Sequence, residues 1–323
     1  MSSVYLNNIR MKRESKSFID SLYAVLTAAG LFEGPKYRLS GLTGMAFKFA
    51  VHERLLPLSV TAYGQWGLEH AAAIDNLGLL TISDGGRTRH LTFRRYQQEA
   101  IRWIKQSLDR GVGLIYWIPE FGVIHGYDDE DGVFFIQDGW SQEDHIVLYD
   151  NLGLNVTPFW CVEMIGEKVD MPIDEQVLES VRSAIHDWQT PFKLLPDREI
   201  ASGKLAYDFF IQALRSGNFD EAGARYILDS YRYARYEIRD YLSEVKELWP
   251  ELAEAHMYYE ELGHHIADLS FDHSGGGIQE MIEKLAAAAQ LEDRSVGQFS
   301  KLSARYADPS RTIATRWITH SAR

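Results

Sequence analysis

Residues 109–140, DRGVGLIYWIPEFGVIHGYDDEDGVFFIQDGW, decide the fold class of the first half of the chain. Short apolar runs alternate here with turn residues, which is typical of strands that are joined by tight connections. Asp131 and Gly132 stand between two of these runs, and an Asp-Gly pair in that place favours a β-hairpin. The stretch therefore predicts neighbouring antiparallel strands.

Helical patterns precede this stretch. In residues 17–29 (SFIDSLYAVLTAA), apolar residues recur at helical spacing, and Gly30 marks the end of the helix. Ser17, followed three residues later by Asp20, predicts a capping box at the start of this helix. Three further short helices are predicted at residues 41–52, 66–77 and 94–108. Helices followed by an antiparallel sheet make an α+β fold.

The second half of the chain has a different pattern, which is helical from about residue 174 almost to the end. The period changes within residues 168–175 (KVDMPIDE), and this segment contains a proline. Such a change predicts a domain boundary. We therefore expect an α+β domain at residues 1–170 and an all-helical bundle domain at residues 171–323.

Charge limits the classes of partner. The 323 residues include 33 Lys and Arg against 46 Asp and Glu, a formal charge of -13. A protein that binds nucleic acid through its phosphates needs a basic face, so a nucleic-acid partner is not expected. The same acidity is compatible with a small cationic ligand.

Localisation is predicted from what the sequence lacks. Cys161 is the single cysteine and has no partner for a disulfide, and the start MSSVYLNNIRMKR has no apolar signal region. No apolar run approaches the ~18 residues of a membrane-spanning helix. We expect a cytoplasmic protein without a membrane partner.

Three segments, taken in order, resemble the amino-terminal family of butirosin biosynthesis protein H. These segments are SFIDSLYAVLTAAG, LSGLTGMAFKF and residues 109–140, and the resemblance spans roughly residues 10–165. More distantly, the same region is similar to bacteriocin-processing cysteine peptidases. The resemblance implies a papain-like fold in which a cysteine opens the first helix, a histidine precedes a Gly-Tyr-Asp strand and an aspartate ends the next strand. It also implies transfer of an acyl group from a carrier protein to an aminoglycoside, without a cofactor.

The residues that perform this chemistry in the family differ here. Ser17 lies at the position of the cysteine, Glu120 lies at the position of the histidine, and Asp138 alone matches the triad. A serine needs a base for activation, and a carboxylate of ordinary pKa is a weak one. The resemblance therefore implies a degraded site with a binding or accessory role in specialised metabolism. Its expected partner is a small amine-bearing ligand, bound by Glu120, Asp138 and Trp140, or an acyl carrier protein.

An active acyltransferase or hydrolase is the main alternative, with Ser17 as nucleophile and Glu120 or His125 as base. In a regular strand, His125 lies on the face of residues 121 and 123, away from Glu120, and is expected to be a core or rim histidine. A β-bulge at Gly122 would reverse that facing. Cys161 lies in an apolar segment and is expected to be a buried, unreactive thiol.

A metal-binding helical bundle is the third hypothesis. A row of polar residues recurs every four positions in the second half, and Glu261 with His264 forms a Glu-x-x-His pair. The row consists of His256, Glu260, His264, Asp268 and Asp272. Di-metal bundles use two such pairs with two further glutamates. Because no second pair is present in the sequence, a solvated polar face is the favoured interpretation.

Overall fold

The computed structural model describes residues 2–194, 196–271 and 277–307, and its fold is mixed α+β. The strands are β1 (Ser3–Tyr5), β2 (Ala50–His52), β3 (Leu79–Arg87), β4 (Leu114–Trp117), β5 (Phe121–Asp128), β6 (Val133–Gln137), β7 (His145–Leu148), β8 (Phe159–Lys168) and β9 (Ile200–Ser202). The α-helices are α1 (Ser17–Ala28), α2 (Lys36–Leu42), α3 (Trp66–Asp75), α4 (Phe93–Asp109), α5 (Ile173–Gln189), α6 (Lys204–Ser216), α7 (Glu221–Val245), α8 (Ala253–Ile266) and α9 (Ile278–Arg305). Short 3₁₀ helices lie at Met45–Phe47, Pro57–Val60, Tyr149–Asn151 and Pro250–Leu252.

The chain divides into two compact units, and each of them is built from two separate stretches of the chain. The first unit contains Met1–Leu39 and Ile74–Met171, and the second contains Ser40–Ala73 and Pro172–Arg323. The predicted boundary at residues 170 and 171 lies next to the observed change at Met171. The prediction of one continuous domain at residues 1–170 is wrong for Ser40–Ala73, because the contacts of that segment lie mainly within the second unit.

The first unit is built on one antiparallel sheet. Its strand order is β3-β8-β4-β5-β6-β7, and β1 also pairs with β5. The predicted Asp131-Gly132 turn joins β5 to β6, with Gly132 at a positive φ of 64° that suits a residue without a side chain.

Helices α1 and α4 cover opposite faces of this sheet. The Phe18 ring of α1 meets the Phe121 ring edge-on, with centroids 5.8 Å apart. Ile104 of α4 belongs to a buried cluster that includes Ile124 and Phe134. Side chains alternate along a strand, so Phe121 and Ile124 point to opposite faces of β5. The central strand β5 is therefore buried between the two helices.

The second unit is mostly helical, but it is not all-helical as expected. Strands β2 and β9 pair antiparallel, with Ala50 opposite Ser202 and His52 opposite Ile200. The single helix predicted for residues 41–52 is likewise wrong, since that stretch holds the end of α2, a 3₁₀ turn and β2. The end of this stretch forms a strand because it pairs with β9, about 150 residues away. This distant pairing outweighs local helix propensity.

A fully buried group, which we call the arginine cluster, links four helices of the second unit. It consists of Tyr207 on α6, Tyr231 and Arg235 on α7, Tyr259 on α8 and Glu292 on α9. Both carboxylate oxygens of Glu292 contact the Arg235 guanidinium, at 2.8 Å from Nε and 2.9 Å from Nη2. The hydroxyls of Tyr207 and Tyr259 donate to Glu292 at 2.9 and 3.0 Å. A buried carboxylate with this many partners fixes how the four helices pack.

Candidate functional site

Ser17 and Glu120 are in direct contact in the first unit. Ser17 is the first residue of α1, and Glu120 ends the short turn between β4 and β5. Ser17 Oγ donates a hydrogen bond to Glu120 Oε2 at 2.6 Å. The structure thus brings together the two positions that the resemblance aligned with the nucleophile and the base.

The predicted capping box is wrong. Lys16, not Ser17, is the N-cap residue of α1, and no side chain caps this helix. The Asp20 carboxylate instead accepts hydrogen bonds from the backbone N–H groups of Glu14 and Ser15 at 2.9 and 3.1 Å. It also pairs with Lys36 Nζ at 2.8 Å. Tertiary contacts with the strand turn and with the preceding loop have replaced the local motif.

No surface of Ser17 is accessible to solvent. The segment before α1 lies against the ends of β5 and β6, where the Arg13 backbone N–H donates to Gly139 O at 3.1 Å. The buried Arg13 guanidinium donates to Phe121 O at 3.0 Å and to Asp138 O at 2.9 Å. A substrate therefore cannot reach Ser17 Oγ in this arrangement.

The Asp138 carboxylate has partners other than Ser17 and Glu120. Its Oδ1 accepts hydrogen bonds from the backbone N–H groups of Trp140 and Ser141, both at 2.8 Å. Its Oδ2 is 2.8 Å from His145 Nε2 on β7. Burial opposes ionisation of Asp138, but the Ser141 N–H and the His145 side chain hold its pKa below the usual value. Of the three positions that the resemblance aligned with a triad, Ser17 and Glu120 are in contact, whereas Asp138 binds backbone groups of its own loop and His145.

Trp140, a predicted ligand-binding residue, has 67% of its surface exposed beside Asp138. The Arg13 guanidinium carbon lies 6.0 Å from the centre of its indole ring. The Asp138 side chain is 19% exposed. An exposed aromatic face next to a partly exposed carboxylate is suited to contact with a cationic group.

His125 does not contact the Ser17–Glu120 pair. The register between β5 and β6 shifts between Ile124 and Gly126, so His125 is the additional residue of a β-bulge. The sequence allows a β-bulge at Gly122. The strand does contain a bulge, but it lies three residues later. His125 is fully buried, and its Nε2 lies 3.0 Å from Asp144 Oδ1. The Asp144 carboxylate also accepts a hydrogen bond from Tyr5, whose ring meets the imidazole edge-on at 4.7 Å.

The predicted burial of Cys161 is confirmed. The residue is 4% exposed on β8, and its Sγ donates to Glu163 Oε1 at 3.7 Å. Burial, together with the charge of Glu163, raises the pKa of this thiol well above its usual value. A thiol that stays protonated is a poor nucleophile.

The metal hypothesis has no ligand set in the part of the chain that the structure describes. Glu261 and His264 are exposed on α8, and His256 is buried with its Nδ1 3.2 Å from Lys246 Nζ. No group of three or more His, Cys, Asp or Glu that could hold a metal occurs among the described residues. Asp272, the last member of the predicted polar row, lies outside them.

A buried group of charges in the second unit escaped the sequence analysis. This lysine cluster consists of Lys48, Glu69, Asp187 and Lys193. Lys48 Nζ contacts Glu69 and lies 3.0 Å from Asp187 Oδ2, while Lys193 Nζ contacts Asp187 and lies 3.2 Å from Glu69 Oε1.

In the lysine cluster, the pKa values of one lysine and one carboxyl group are shifted from their ordinary values. Burial and the charge of Lys48 lower the pKa of Lys193 to about 7, against the attraction of Glu69. Burial opposes ionisation of Glu69, but Lys48 and Lys193 together lower the pKa of this carboxyl to about 2. Only Asp187 and Lys193 are near each other in the sequence, and the cluster joins three distant parts of the chain, so no local pattern indicates it.

No protein-family model matches this chain. The comparison with curated proteins also finds no match. Among the described residues, no helix is long and apolar enough to cross a membrane.

Proposed function

We propose that this protein acts by binding a small amine-bearing ligand and that its first unit, which holds two of the three segments of the resemblance, is papain-like and without catalytic activity. The observation that carries the proposal is the 2.6 Å hydrogen bond from the fully buried Ser17 Oγ to Glu120 Oε2. In the family that the sequence resembles, these positions hold a reactive cysteine and its histidine base. A hydroxyl that is out of reach and committed to a carboxylate does not replace them.

Two features favour an amine as the ligand. The chain carries a formal charge of -13, and the Asp138 carboxylate and the Trp140 indole lie together at the surface of the first unit. A carboxylate attracts an ammonium group, and the indole face adds a cation–π contact. Glu120 is the third residue that the sequence predicts to bind the amine-bearing ligand. An acyl carrier protein, the other expected partner, delivers a thioester that needs a reachable nucleophile, so the buried Ser17 disfavours it.

Covalent labelling tests the absence of catalysis. We expect that neither a fluorophosphonate probe nor an acyl-thioester probe labels the wild-type protein or the Ser17→Ala variant, with a serine hydrolase as positive control. Labelling of the wild-type protein that disappears in Ser17→Ala would favour the acyltransferase or hydrolase and would overturn this part of the proposal.

Calorimetry tests the ligand. We expect spermidine or neomycin to bind the wild-type protein, and Asp138→Asn or Trp140→Ala to weaken that binding by roughly tenfold, which corresponds to about 1.4 kcal/mol. Asp138→Asn retains an oxygen for the two backbone N–H groups, so the loop should keep its shape. Glu130→Gln, at an exposed position on the β5–β6 hairpin, is the matched control for loss of one charge. If no heat is detected at millimolar amine, or if Glu130→Gln has the same effect as Asp138→Asn, the ligand assignment is wrong.

A further inference from the structure

The second unit contains a groove of about 580 Å³ between α5, α6 and α9. Its apolar lining includes Trp188, Leu205 and Val296, and its polar lining includes Asp208 and Asp293. This volume is in the range of pockets that bind small molecules. The groove lies entirely within the second unit and shares no residue with the Ser17, Glu120 and Asp138 positions.

Gly297 on α9 contributes to the space in this groove. Glycine is disfavoured inside a helix because it loses more backbone entropy than alanine, and α9 runs for 28 residues. A Cβ atom at Gly297 would meet no other atom within 4 Å, so close packing does not require a glycine here. The absent side chain instead leaves one wall of the groove open.

The charges along the groove are not balanced. Asp293 Oδ1 accepts hydrogen bonds from Lys204 Nζ at 2.9 Å and from Trp188 Nε1 at 3.0 Å. The hydrogen bond and charge of Lys204 hold the pKa of Asp293 below its usual value. Asp208 lies one turn after Lys204 on α6, is exposed, and has no hydrogen bond or ion pair among the described residues. One carboxylate of the groove is thus neutralised and held in place, while the other is available.

We infer that this groove binds a small molecule that carries one amine on an apolar body. The side chains of Trp188, Leu205 and Val296 contact the apolar body, and Asp208 pairs with the ammonium group. Burial of apolar surface supplies affinity, and the carboxylate supplies preference for a cation over a neutral molecule of the same shape. The inference does not depend on the proposed function of the first unit.

The test follows the Trp188 indole N–H signal by NMR, assigned by its loss in Trp188→Phe, during titration with tryptamine and with its uncharged counterpart tryptophol. We expect the signal to shift and saturate at low millimolar tryptamine, with binding about tenfold tighter than that of tryptophol. Asp208→Asn should remove this preference. Glu175→Gln, which removes an exposed charge near the start of α5, should leave it unchanged.

Two substitutions at one position test the role of the open wall. Gly297→Ala should keep binding, because a methyl group meets nothing within 4 Å, whereas Gly297→Leu should abolish it by filling the groove. Both variants should melt no lower than the wild-type protein, since both residues favour a helix more than glycine does. The inference is overturned if tryptamine leaves the Trp188 signal unmoved, if Asp208→Asn keeps the preference, or if a folded Gly297→Leu variant binds normally.

A separate outcome distinguishes this site from the one in the first unit. Asp138→Asn should leave the response of Trp188 to tryptamine unchanged. If Asp138→Asn abolished that response while Asp208→Asn did not, the amine site would belong to the first unit, and the groove assignment would be wrong.

Discussion

The arginine cluster and the lysine cluster both bury balanced charge in the second unit, but we expect them to respond differently to pH. In the arginine cluster, one guanidinium meets one carboxylate, and tyrosine hydroxyls occupy further positions on the carboxylate oxygens. In the lysine cluster, two ammonium groups share two carboxylates and repel each other. An arginine does not lose its proton in a protein, whereas burial readily lowers the pKa of a lysine. Formal neutrality therefore does not make a buried cluster insensitive to pH.

The largest effect is expected at the centre of the arginine cluster. Glu292→Gln leaves the guanidinium of Arg235 buried without a counter-charge and should lower the free energy of unfolding by about 3–5 kcal/mol. Urea denaturation followed by tryptophan fluorescence measures this loss. In a double-mutant cycle with Arg235→Met, the double variant should lose at least about 1 kcal/mol less than the two single losses together. Additive losses would show that the two residues are not coupled.

A pH-dependent effect is expected next, at Lys193. The pKa of this residue is about 7 in the folded protein against an ordinary value of 10.5, so the unfolded chain binds more protons between these values. The free energy of unfolding should therefore rise with pH through this window, by at most about 1.4 kcal/mol per pH unit. Lys193→Met should remove the rise.

Urea denaturation at a series of pH values from 7 to 10 measures this dependence. Lys301→Met, which removes an exposed lysine of α9, is the control and should keep the wild-type slope. Equal slopes for the wild-type protein and Lys193→Met would mean that Lys193 keeps its proton, and the contrast between the clusters would fail.

A smaller effect is expected at Glu69 on the acid side. Its pKa is about 2 in the folded protein against an ordinary 4.5, so its stabilising contribution is complete above pH 4.5 and is lost as pH falls toward 2. Glu69→Gln should reduce the acid sensitivity of the free energy of unfolding by on the order of 2 kcal/mol over this range. Acid titration of stability by circular dichroism measures this change. Unchanged acid sensitivity in the variant would contradict the assignment.

The smallest effect is expected for an exposed ion pair. Arg305 Nη1 lies 2.7 Å from Glu251 Oε1, and the Arg305 side chain is 66% exposed. Water and salt screen such a pair, so Glu251→Gln should change the free energy of unfolding by less than about 1 kcal/mol. Thermal melting provides the measurement. If Glu251→Gln lowered the free energy of unfolding as much as Glu292→Gln does, burial would not explain why the clusters contribute more to stability than this exposed pair.

Parts of the candidate site could be predicted from the sequence. The resemblance aligned Ser17 and Glu120 with residues that must meet, and they do meet, although they are 103 positions apart. It did not predict that Asp138 would pair with His145 or that Arg13 would reach the ends of β5 and β6. Those contacts depend on the path of two loops, and loop paths leave no periodic pattern in a sequence.

The sequence by itself determined the elements whose pattern is local: α1 and α4, the β5–β6 hairpin at Asp131-Gly132, and the change of period near residue 171. Periodicity and turn residues indicate where a helix, strand or turn forms and which of its faces is buried. Both signals depend only on residues that are close together in the sequence. Only the tertiary structure decided that Ser40–Ala73 belongs to the second unit. It also decided that Ser17 donates its hydrogen bond to Glu120 instead of capping its helix, and that Lys48 pairs with Asp187, which is 139 positions away. In each case a distant contact outweighs the local preference, because burial and charge pairing act between residues that are close in space, however far apart they are in the chain.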